Sequence, residues 1–257
     1  MKLISASSRS RKNVQIAIRI AVIALIPLID FSWIAVAWAF IAYLGYYTIA
    51  HSIMLHRYYS HSSFEFKFKP VRQLFALITA MSVRGDPIGW AYLHKMHHAT
   101  VDSEEDPHSP HFKQFNFFEI GDYTAITEKI NPLKIRSLLT TENLFLNKYY
   151  WLVCLTLPFL LACLSLDAFY FAWLLPICMF DFASTFFNYA NHKNLPGSYT
   201  SFATSNTGKS VNNKLLWIIS LGEAWHNNHH HNPKNYNFKI KWWEFDPSSY
   251  IINVIKR

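Results

Sequence analysis

The sequence predicts an all-α integral-membrane protein, and three features of the chain support this fold class. Of its 257 residues, 51% are hydrophobic and 17% are aromatic, which is more apolar than an average soluble domain. Four apolar segments approach the ~20 residues that a helix needs to cross a bilayer. The 13 histidines avoid the short turns between these segments and fall mostly just beyond the segment ends. We therefore expect membrane helices with a polar, histidine-rich part outside the bilayer.

The four predicted spans form two hairpins and cover about residues 14–29, 32–50, 150–164 and 168–187. The turns within the hairpins contain no Lys or Arg, whereas the segment before the first span is basic. Positive residues stay on the cytosolic side of a membrane. Both termini are therefore predicted to be cytosolic, in a bacterial inner membrane or the endoplasmic reticulum.

Nearly all remaining basic residues lie in residues 51–148 and 188–257. The same rule places these two segments on the cytosolic side, where we expect a helical cap that carries the active site. Arg19 is the exception within the first span, and its side chain is expected to snorkel to the interface. Given this placement, the formal charge of +8 indicates contact with a membrane surface or an acidic protein rather than nucleic acid.

The three cysteines, Cys154, Cys163 and Cys178, all lie in apolar segments. They show no CxxC spacing and no cluster, which excludes a zinc ribbon or a disulfide framework built on them. This cysteine usage agrees with a site on a reducing cytosolic face.

Three groups of histidines have the spacing of metal ligands: HRYYSH at residues 56–61, HKMHH at 94–98 and HNNHH at 226–230. In an HxxHH group, residues i, i+3 and i+4 lie on one helix face, so their imidazoles can converge on one or two metal ions. His56 and His61 are five residues apart and would diverge on an ideal α-helix. We therefore expect them at a helix end or on different metals. We interpret His51, His108, His111 and His231 as ordinary polar residues at the membrane interface.

The identity of the metal follows only in part from the ligands. Imidazole alone admits zinc, copper, iron or nickel. Zinc usually needs only three or four protein ligands and has no redox chemistry, so eight clustered histidines indicate two metal ions. The membrane setting and the lack of a hydrolytic motif favour oxygen chemistry with iron.

Longer stretches around these groups resemble a known family, the membrane fatty acyl desaturases, and in particular their stearoyl-CoA type. The segments HRYYSHSSFEF, GDPIGWAYLHKMHHATVDSEEDPHSP and GEAWHNNHHHNPKNYNFKIKWWEFDPS resemble the three histidine boxes. NYANH at residues 188–192 resembles the family's additional Asn-x3-His element. The resemblance covers most of the sequence and implies a single desaturase domain over residues 1–257, with a histidine-rich di-iron centre in the cap.

Carried over by position, the resemblance implies nine iron ligands: His56, His61, His94, His97, His98, His192, His226, His229 and His230. Asn188 would act through a water molecule. Carboxylates beside the boxes are candidates to accept the free N–H of ligand imidazoles. These candidates are Asp102, Glu104, Glu105, Asp106 and Glu223. Two positions depart from the family pattern without removing a ligand: Asp86, where a small residue is more usual, and His231, which extends the third box.

The resemblance also implies an activity, namely the O2-dependent introduction of a cis double bond into a saturated acyl chain, with Δ9 as the family default. It implies two iron ions, with O2 as co-substrate. The acyl carrier remains open among CoA, a carrier protein and a membrane lipid. Because the sequence has neither a haem-binding His-Pro-Gly-Gly segment nor a ferredoxin cysteine pattern, the electron donor is expected to be a separate protein of the ferredoxin or cytochrome b5 type.

The acyl tail is expected to enter a narrow apolar tunnel beneath the cap. Leu44 and Thr48 precede His56 by 12 and 8 residues, which on a continuous α-helix places them ~18 and ~12 Å deeper in the membrane. They are four residues apart and share a helix face. We interpret them as the lining of the closed tunnel end, with lipid contact or helix packing as the alternative.

Two other functions remain open on the residues. A histidine-box hydroxylase or ketolase of a lipid or hydrocarbon would use the same type of centre. From a different class, the protein could be a bis-histidine haem membrane protein or a metal-binding transport component. The clustering of the histidines beyond the helix ends, rather than in mid-bilayer, disfavours haem.

Overall fold

The computed structural model describes residues 10–112, 124–203 and 208–257. Within these ranges the protein is almost wholly helical, with one antiparallel pair of strands, β1 (Ser198–Tyr199) and β2 (Asn212–Asn213). The helices in chain order are α1 (Arg11–Ala24), α2 (Trp33–Ser60), α3 (Lys69–Ala80), α4 (Pro87–Thr100), α5 (Thr124–Thr127), α6 (Thr141–Lys148), α7 (Tyr150–Leu164), α8 (Leu166–Asn191), α9 (Trp217–Ser220), α10 (His226–His231) and α11 (Pro247–Ile255). Short 3-10 helices cover Ile26–Leu28, Pro132–Leu138 and Leu221–Ala224. The predicted all-α class is confirmed for the described residues.

Helices α2 and α8 are long and apolar enough to cross a membrane, with 28 and 26 residues. They correspond to the predicted spans 32–50 and 168–187, and both continue further on the histidine side. Helices α6 and α7 would form a third span only together, and they are bent by 68°. Helix α1 has 14 residues, too few to cross on its own. The described residues therefore contain two or three spanning helices, and the predicted four are not confirmed.

The surfaces of α2 and α7 agree with a membrane setting. Both helices carry large apolar side chains that no other described part of the protein covers, including Trp33, Ile34 and Trp38 on α2 and Leu152 and Phe159 on α7. A soluble monomer rarely leaves a contiguous apolar surface of this kind in water. Lipid contact explains these residues directly.

Helix α2 changes its winding along its length. It is α-helical from Trp33 to Tyr46 and π-helical from Tyr47 to Ser60. Helices α3, α4 and α11 pack against the π-helical half, and α8 packs against the α-helical half. The histidine-bearing end of α2 is therefore enclosed by α3, α4 and α11.

Arg19 does not snorkel to the membrane surface. Its side chain is buried and forms an ion pair with Asp181 on α8. The other oxygen of Asp181 accepts hydrogen bonds from Gln15 at 2.7 Å and from Arg84 at 2.7 Å. A buried charge is tolerated when it is paired and hydrogen-bonded. Because Asp181 provides this pairing, the guanidinium of Arg19 is stable without contact with water at the interface. The same contacts fasten α1 to α8.

Asp86 has a structural role that explains why a larger side chain stands at this position. It is the N-cap of α4, and its carboxylate accepts hydrogen bonds from the backbone N–H of Ile88 and of Gly89. The amide of Asn147 on α6 also donates to it, at 3.0 Å. A capping carboxylate satisfies N–H groups that have no partner within the helix. Asp86 thus fixes the start of the helix that carries the second histidine box.

Candidate metal centre

Nine histidines from four separate parts of the sequence converge where these parts pack together. The end of α2 and the residue that follows it supply one each, α4 supplies three, α10 supplies three, and the residue that follows α8 supplies one. They divide into two groups, in each of which the candidate ligand atoms lie within 4.8 Å of one another. The five-histidine cluster contains His56, His61, His94, His98 and His229, and the four-histidine cluster contains His97, His192, His226 and His230.

In the five-histidine cluster the Nε2 atoms face a common centre. The Nε2 atom of His229 lies 2.9 Å from that of His56 and 3.0 Å from that of His98. The Nε2 atoms of His61 and His94 are 2.8 Å apart. Two nitrogens bound at ~2.1 Å to one metal, at right angles to each other, would be about 3 Å apart. The spacing therefore fits ligands of a shared ion.

The four-histidine cluster has the same arrangement. The Nε2 atom of His226 lies 3.0 Å from those of His192 and His230. That of His97 lies 3.3 Å from that of His230. The rings of His98 and His230, which belong to different clusters, stack with centroids 4.4 Å apart, so the two clusters are adjacent.

Burial keeps these imidazoles in the form that binds metal. Burial, together with the neighbouring imidazoles, lowers the pKa of His61, His94, His98, His226, His229 and His230 well below the usual value. For His192 burial also lowers the pKa, although Asp102 opposes the change. Neutral imidazole has a free lone pair, as a metal ligand requires. The donor set therefore fits two ions that prefer nitrogen ligands, and iron is among them.

The winding of α2 explains how His56 and His61 reach one cluster. In a π-helix the hydrogen bond runs from residue i to residue i+5, and the N–H of His61 donates to the C=O of His56 at 3.2 Å. Their rings are 5.1 Å apart. His61 lies directly after the end of α2, and the two histidines share a cluster rather than separate metals. On this π-helical segment, two histidines that are five residues apart can therefore face the same metal ion.

A carboxylate lies beside the far nitrogen of three candidate ligand imidazoles. Glu223 contacts Nδ1 of His56, Asp106 contacts Nδ1 of His97 at 2.9 Å, and Asp102 lies 3.1 Å from Nδ1 of His192. Such contacts fix the tautomer and the orientation of the ring. Glu104 and Glu105 are exposed, and neither contacts an imidazole within the described part of the chain.

These contacts also keep the carboxylates ionised. Burial alone would raise the pKa of Asp106, but the hydrogen bond from His97 and the backbone N–H groups hold it at about 2. Burial likewise opposes ionisation of Glu223, but His56 and Arg57 hold its pKa well below the usual range. A carboxylate that stays charged remains an acceptor for the imidazole N–H.

The remaining predicted site residues join neither histidine cluster. The amide of Asn188 on α8 donates to the C=O of His108 at 2.7 Å. Leu44 is half-buried and packs among apolar side chains of the membrane region, and Thr48 is buried. Because Thr48 lies in the π-helical part of α2, the depth expected from a continuous α-helix does not apply to it unchanged.

The histidines interpreted as ordinary polar residues differ in placement. His231 is exposed and stacks on Phe202 at 3.6 Å, and His111 donates to the C=O of His192 at 3.0 Å. His51, in contrast, is buried, and it forms a third possible ligand group with His56 and Glu223. The spacing of His51, His56 and His61, five residues each time, is the signal in the sequence for a shared π-helical face.

Sequence comparisons agree with the geometry. The family model described as "Fatty acid desaturase" matches residues 31–250. The icosanoyl-CoA 5-desaturase of Limnanthes douglasii is 32% identical over 88% of this chain and 64% of its own length. Arabidopsis thaliana Delta-9 acyl-lipid desaturase 1 is 28% identical over 91% of this chain and 76% of its own length. The sn-2 palmitoyl-lipid 9-desaturase of Nostoc sp. is 28% identical over 88% of this chain and 80% of its own length.

The protein thus spans less than two thirds of the Limnanthes relative but about four fifths of the Nostoc one. The matched residues 31–250 include all nine clustered histidines and make up most of the 257-residue sequence. The chain therefore belongs to the fatty acid desaturase family.

Proposed function

We propose that the protein is an O2-dependent desaturase that introduces a cis double bond into a saturated fatty acyl chain. The observation that carries the proposal is the division of nine histidines into two adjacent clusters, each with ligand nitrogens about 3 Å apart. Two iron ions held there, one in each cluster, would supply the reductive activation of O2 and the removal of two hydrogens. Family membership supports this chemistry over other uses of clustered imidazoles.

The residues of the protein bind, orient and shield the metals. The nine imidazoles serve as ligands, and Glu223, Asp106 and Asp102 fix three of them. Aromatic rings cover the centre: Trp90 stacks on His94 with centroids 5.0 Å apart, and Phe187 contacts His226 at 5.1 Å. An apolar cover excludes water and shapes the space for a methylene pair.

Position selectivity must come from geometry, because the methylene groups in the middle of an acyl tail offer no charge for recognition. We propose Δ9 as the position, supported by the Arabidopsis and Nostoc relatives, which are named 9-desaturases. The Limnanthes relative is named a 5-desaturase that acts on an acyl-CoA. We therefore extend the proposal to an acyl group attached to CoA or to a membrane lipid, with electrons from a separate protein.

The same proposal includes the membrane arrangement. Helices α2 and α8 would cross the bilayer, with α1 and α7 completing two hairpins, so that the single domain holds its termini and its metal centre on the cytosolic side. Asn188 would reach a metal through water. The lack of Lys and Arg in the hairpin turns supports this orientation.

Lipid profiling after expression in a host that lacks desaturases tests the function. The wild-type protein should produce monounsaturated acyl chains without retained oxygen, whereas a hydroxylase would leave an oxygen atom from O2 in the product. His97→Ala and His229→Ala, one from each cluster, should abolish the product while membrane insertion persists. His231→Ala is the control, because its ring is exposed and outside both clusters. Full activity of His97→Ala would refute the assignment.

A further inference from the structure

Arg57 follows His56 in the sequence, and its side chain is fully buried, with 0% of its surface exposed. A guanidinium without water is costly unless partners satisfy both its charge and its N–H groups. Arg57 is not expected to bind metal, because its side chain has donors only. Its burial beside the five-histidine cluster therefore needs another explanation.

Partners from three parts of the sequence surround the guanidinium. Its Nε donates to the C=O of Tyr236 at 2.7 Å, and one terminal nitrogen donates to Asp246 at 2.9 Å. The other terminal nitrogen donates to Glu223 and to the backbone C=O and hydroxyl of Ser52. Arg57 therefore joins the end of α2 to the residues just before α10 and to the N-cap of α11.

Arg57 is linked to two candidate metal ligands, in each case through one intervening side chain. Glu223, held by Arg57, contacts Nδ1 of His56. The guanidinium carbon lies 3.7 Å from the ring centroid of Phe238, and that ring packs on His229 with centroids 4.5 Å apart. His56 and His229 both belong to the five-histidine cluster, and their Nε2 atoms are 2.9 Å apart.

We propose that Arg57 is a positioning residue for the metal of the five-histidine cluster. It holds Glu223 against His56 and Phe238 against His229, and so keeps both imidazoles aimed at one point. This inference rests on the proposed function, since it assumes that the clusters bind metal. It adds that metal binding by the five-histidine cluster depends on the guanidinium of Arg57, which does not itself contact the metal. Metal binding by the four-histidine cluster does not depend on it.

The shape of the guanidinium is essential to this role. Arg has five N–H donors in a rigid planar fork, whereas Lys has a compact ammonium on a flexible stem. A single ammonium cannot reach Glu223, Asp246 and the C=O of Tyr236 together, nor lie flat on Phe238. Arg57→Lys therefore keeps the charge and removes most of the positioning.

Metal titration of the purified, metal-free protein in detergent tests the inference, with Co2+ as the probe and visible absorption as the readout. We expect the wild-type protein to bind two equivalents tightly. In Arg57→Lys the affinity for one of the two Co2+ ions should fall by roughly 10- to 100-fold, the usual effect of losing a group that orients a ligand. The affinity for the other ion should not change. Arg72→Lys is the matched control, because Arg72 forms a partly exposed ion pair with Glu142 on α6.

A second variant guards against misfolding of Arg57→Lys. Asp246→Asn keeps an acceptor for the N-cap of α11, but it turns an NH2 group towards Arg57 and the backbone N–H of Phe238, which both donate to one oxygen of Asp246. Both groups belong to the proposed positioning contacts, so binding of the same Co2+ equivalent should weaken while the other is retained. Unchanged binding in both variants, or equal weakening of both equivalents, would overturn the inference and leave the proposed function intact. A wild-type protein that fails to bind two equivalents would overturn the proposed function itself, and this inference with it.

Discussion

Asp106→Asn should weaken the metal site of the four-histidine cluster. Asp106 is fully buried, and three N–H groups point at its carboxylate: Nδ1 of His97 at 2.9 Å, the backbone of Asp102 at 2.9 Å and the backbone of His108 at 2.8 Å. An asparagine has a single acceptor oxygen and an NH2 group that is itself a donor. One of the three donors must then face another donor, and His97 loses the charge that orients its ring.

The expected magnitude follows from these contacts. Loss of a partner that orients a metal ligand typically costs 10- to 100-fold in metal affinity, and hydrogen bonds to a charged group contribute about 1.5–3 kcal/mol each. Iron content after dialysis against graded chelator should therefore show one ion lost at a lower chelator concentration than in the wild-type protein. Glu104→Gln, an exposed acid on the same loop, is the control and should behave as wild type. Equal retention of both ions in Asp106→Asn would refute the reasoning.

The same variant has a pH signature. The hydrogen bonds to its carboxylate hold the pKa of Asp106 at about 2 in the folded protein, below that of an unfolded aspartate at ~3.9. A depressed pKa contributes stability above the unfolded value, and this stability is lost as pH falls through the folded value. Between about pH 4 and 2 the wild-type protein should lose more thermal stability than Asp106→Asn, as unfolding followed by circular dichroism would show. Identical slopes would contradict this account.

The remaining predictions concern the tunnel, the cytosolic face and the membrane core. Leu44→Trp should shift products towards shorter acyl chains and Leu44→Ala towards longer ones, by gas chromatography of the products; unchanged distributions in active enzymes would exclude Leu44 from the tunnel end. Turnover with an acidic electron donor should fall above physiological salt, because exposed charges are screened within ~8 Å at 0.15 M; salt-independent turnover limited by donor reduction would argue against electrostatic docking. Asp181→Asn should lower stability by about 3–5 kcal/mol, because Arg19 and Arg84 lose their shared charge; a thermal midpoint equal to that of Asp167→Asn would contradict this.

The sequence was informative where local spacing determines geometry. HxxHH places its histidines on one helix face, and the structure brings both HxxHH groups together. The division between metals was not predictable, because each group contributes to both clusters: His94 and His98 face one centre while His97 faces the other. That division depends on how α4 and α10 are rotated about their axes when they pack, and no local pattern determines this rotation.

Long-range pairing limited the predictions in the membrane region. Arg19 and Asp181 are 162 residues apart, and nothing near Arg19 in the sequence indicates a buried partner. Spans were predicted from hydropathy alone, which measures apolar length. Hydropathy does not show that α1 ends at Ala24 or that α6 and α7 bend between Lys148 and Tyr150.

The π-helical half of α2 has a consequence for how substrate preference can diverge among related proteins. A residue added to or removed from the part of this half that precedes His56 leaves the five-residue spacing of His56 and His61 unchanged. Such a change would turn the membrane half of α2 about the helix axis relative to the histidine half, because each helical residue adds a fixed rotation. A length change there would present a different set of side chains to the substrate and leave the ligands in place. If α2 lines the acyl tunnel as proposed for Leu44 and Thr48, substrate preference can change by single-residue changes in length while the histidine clusters are kept.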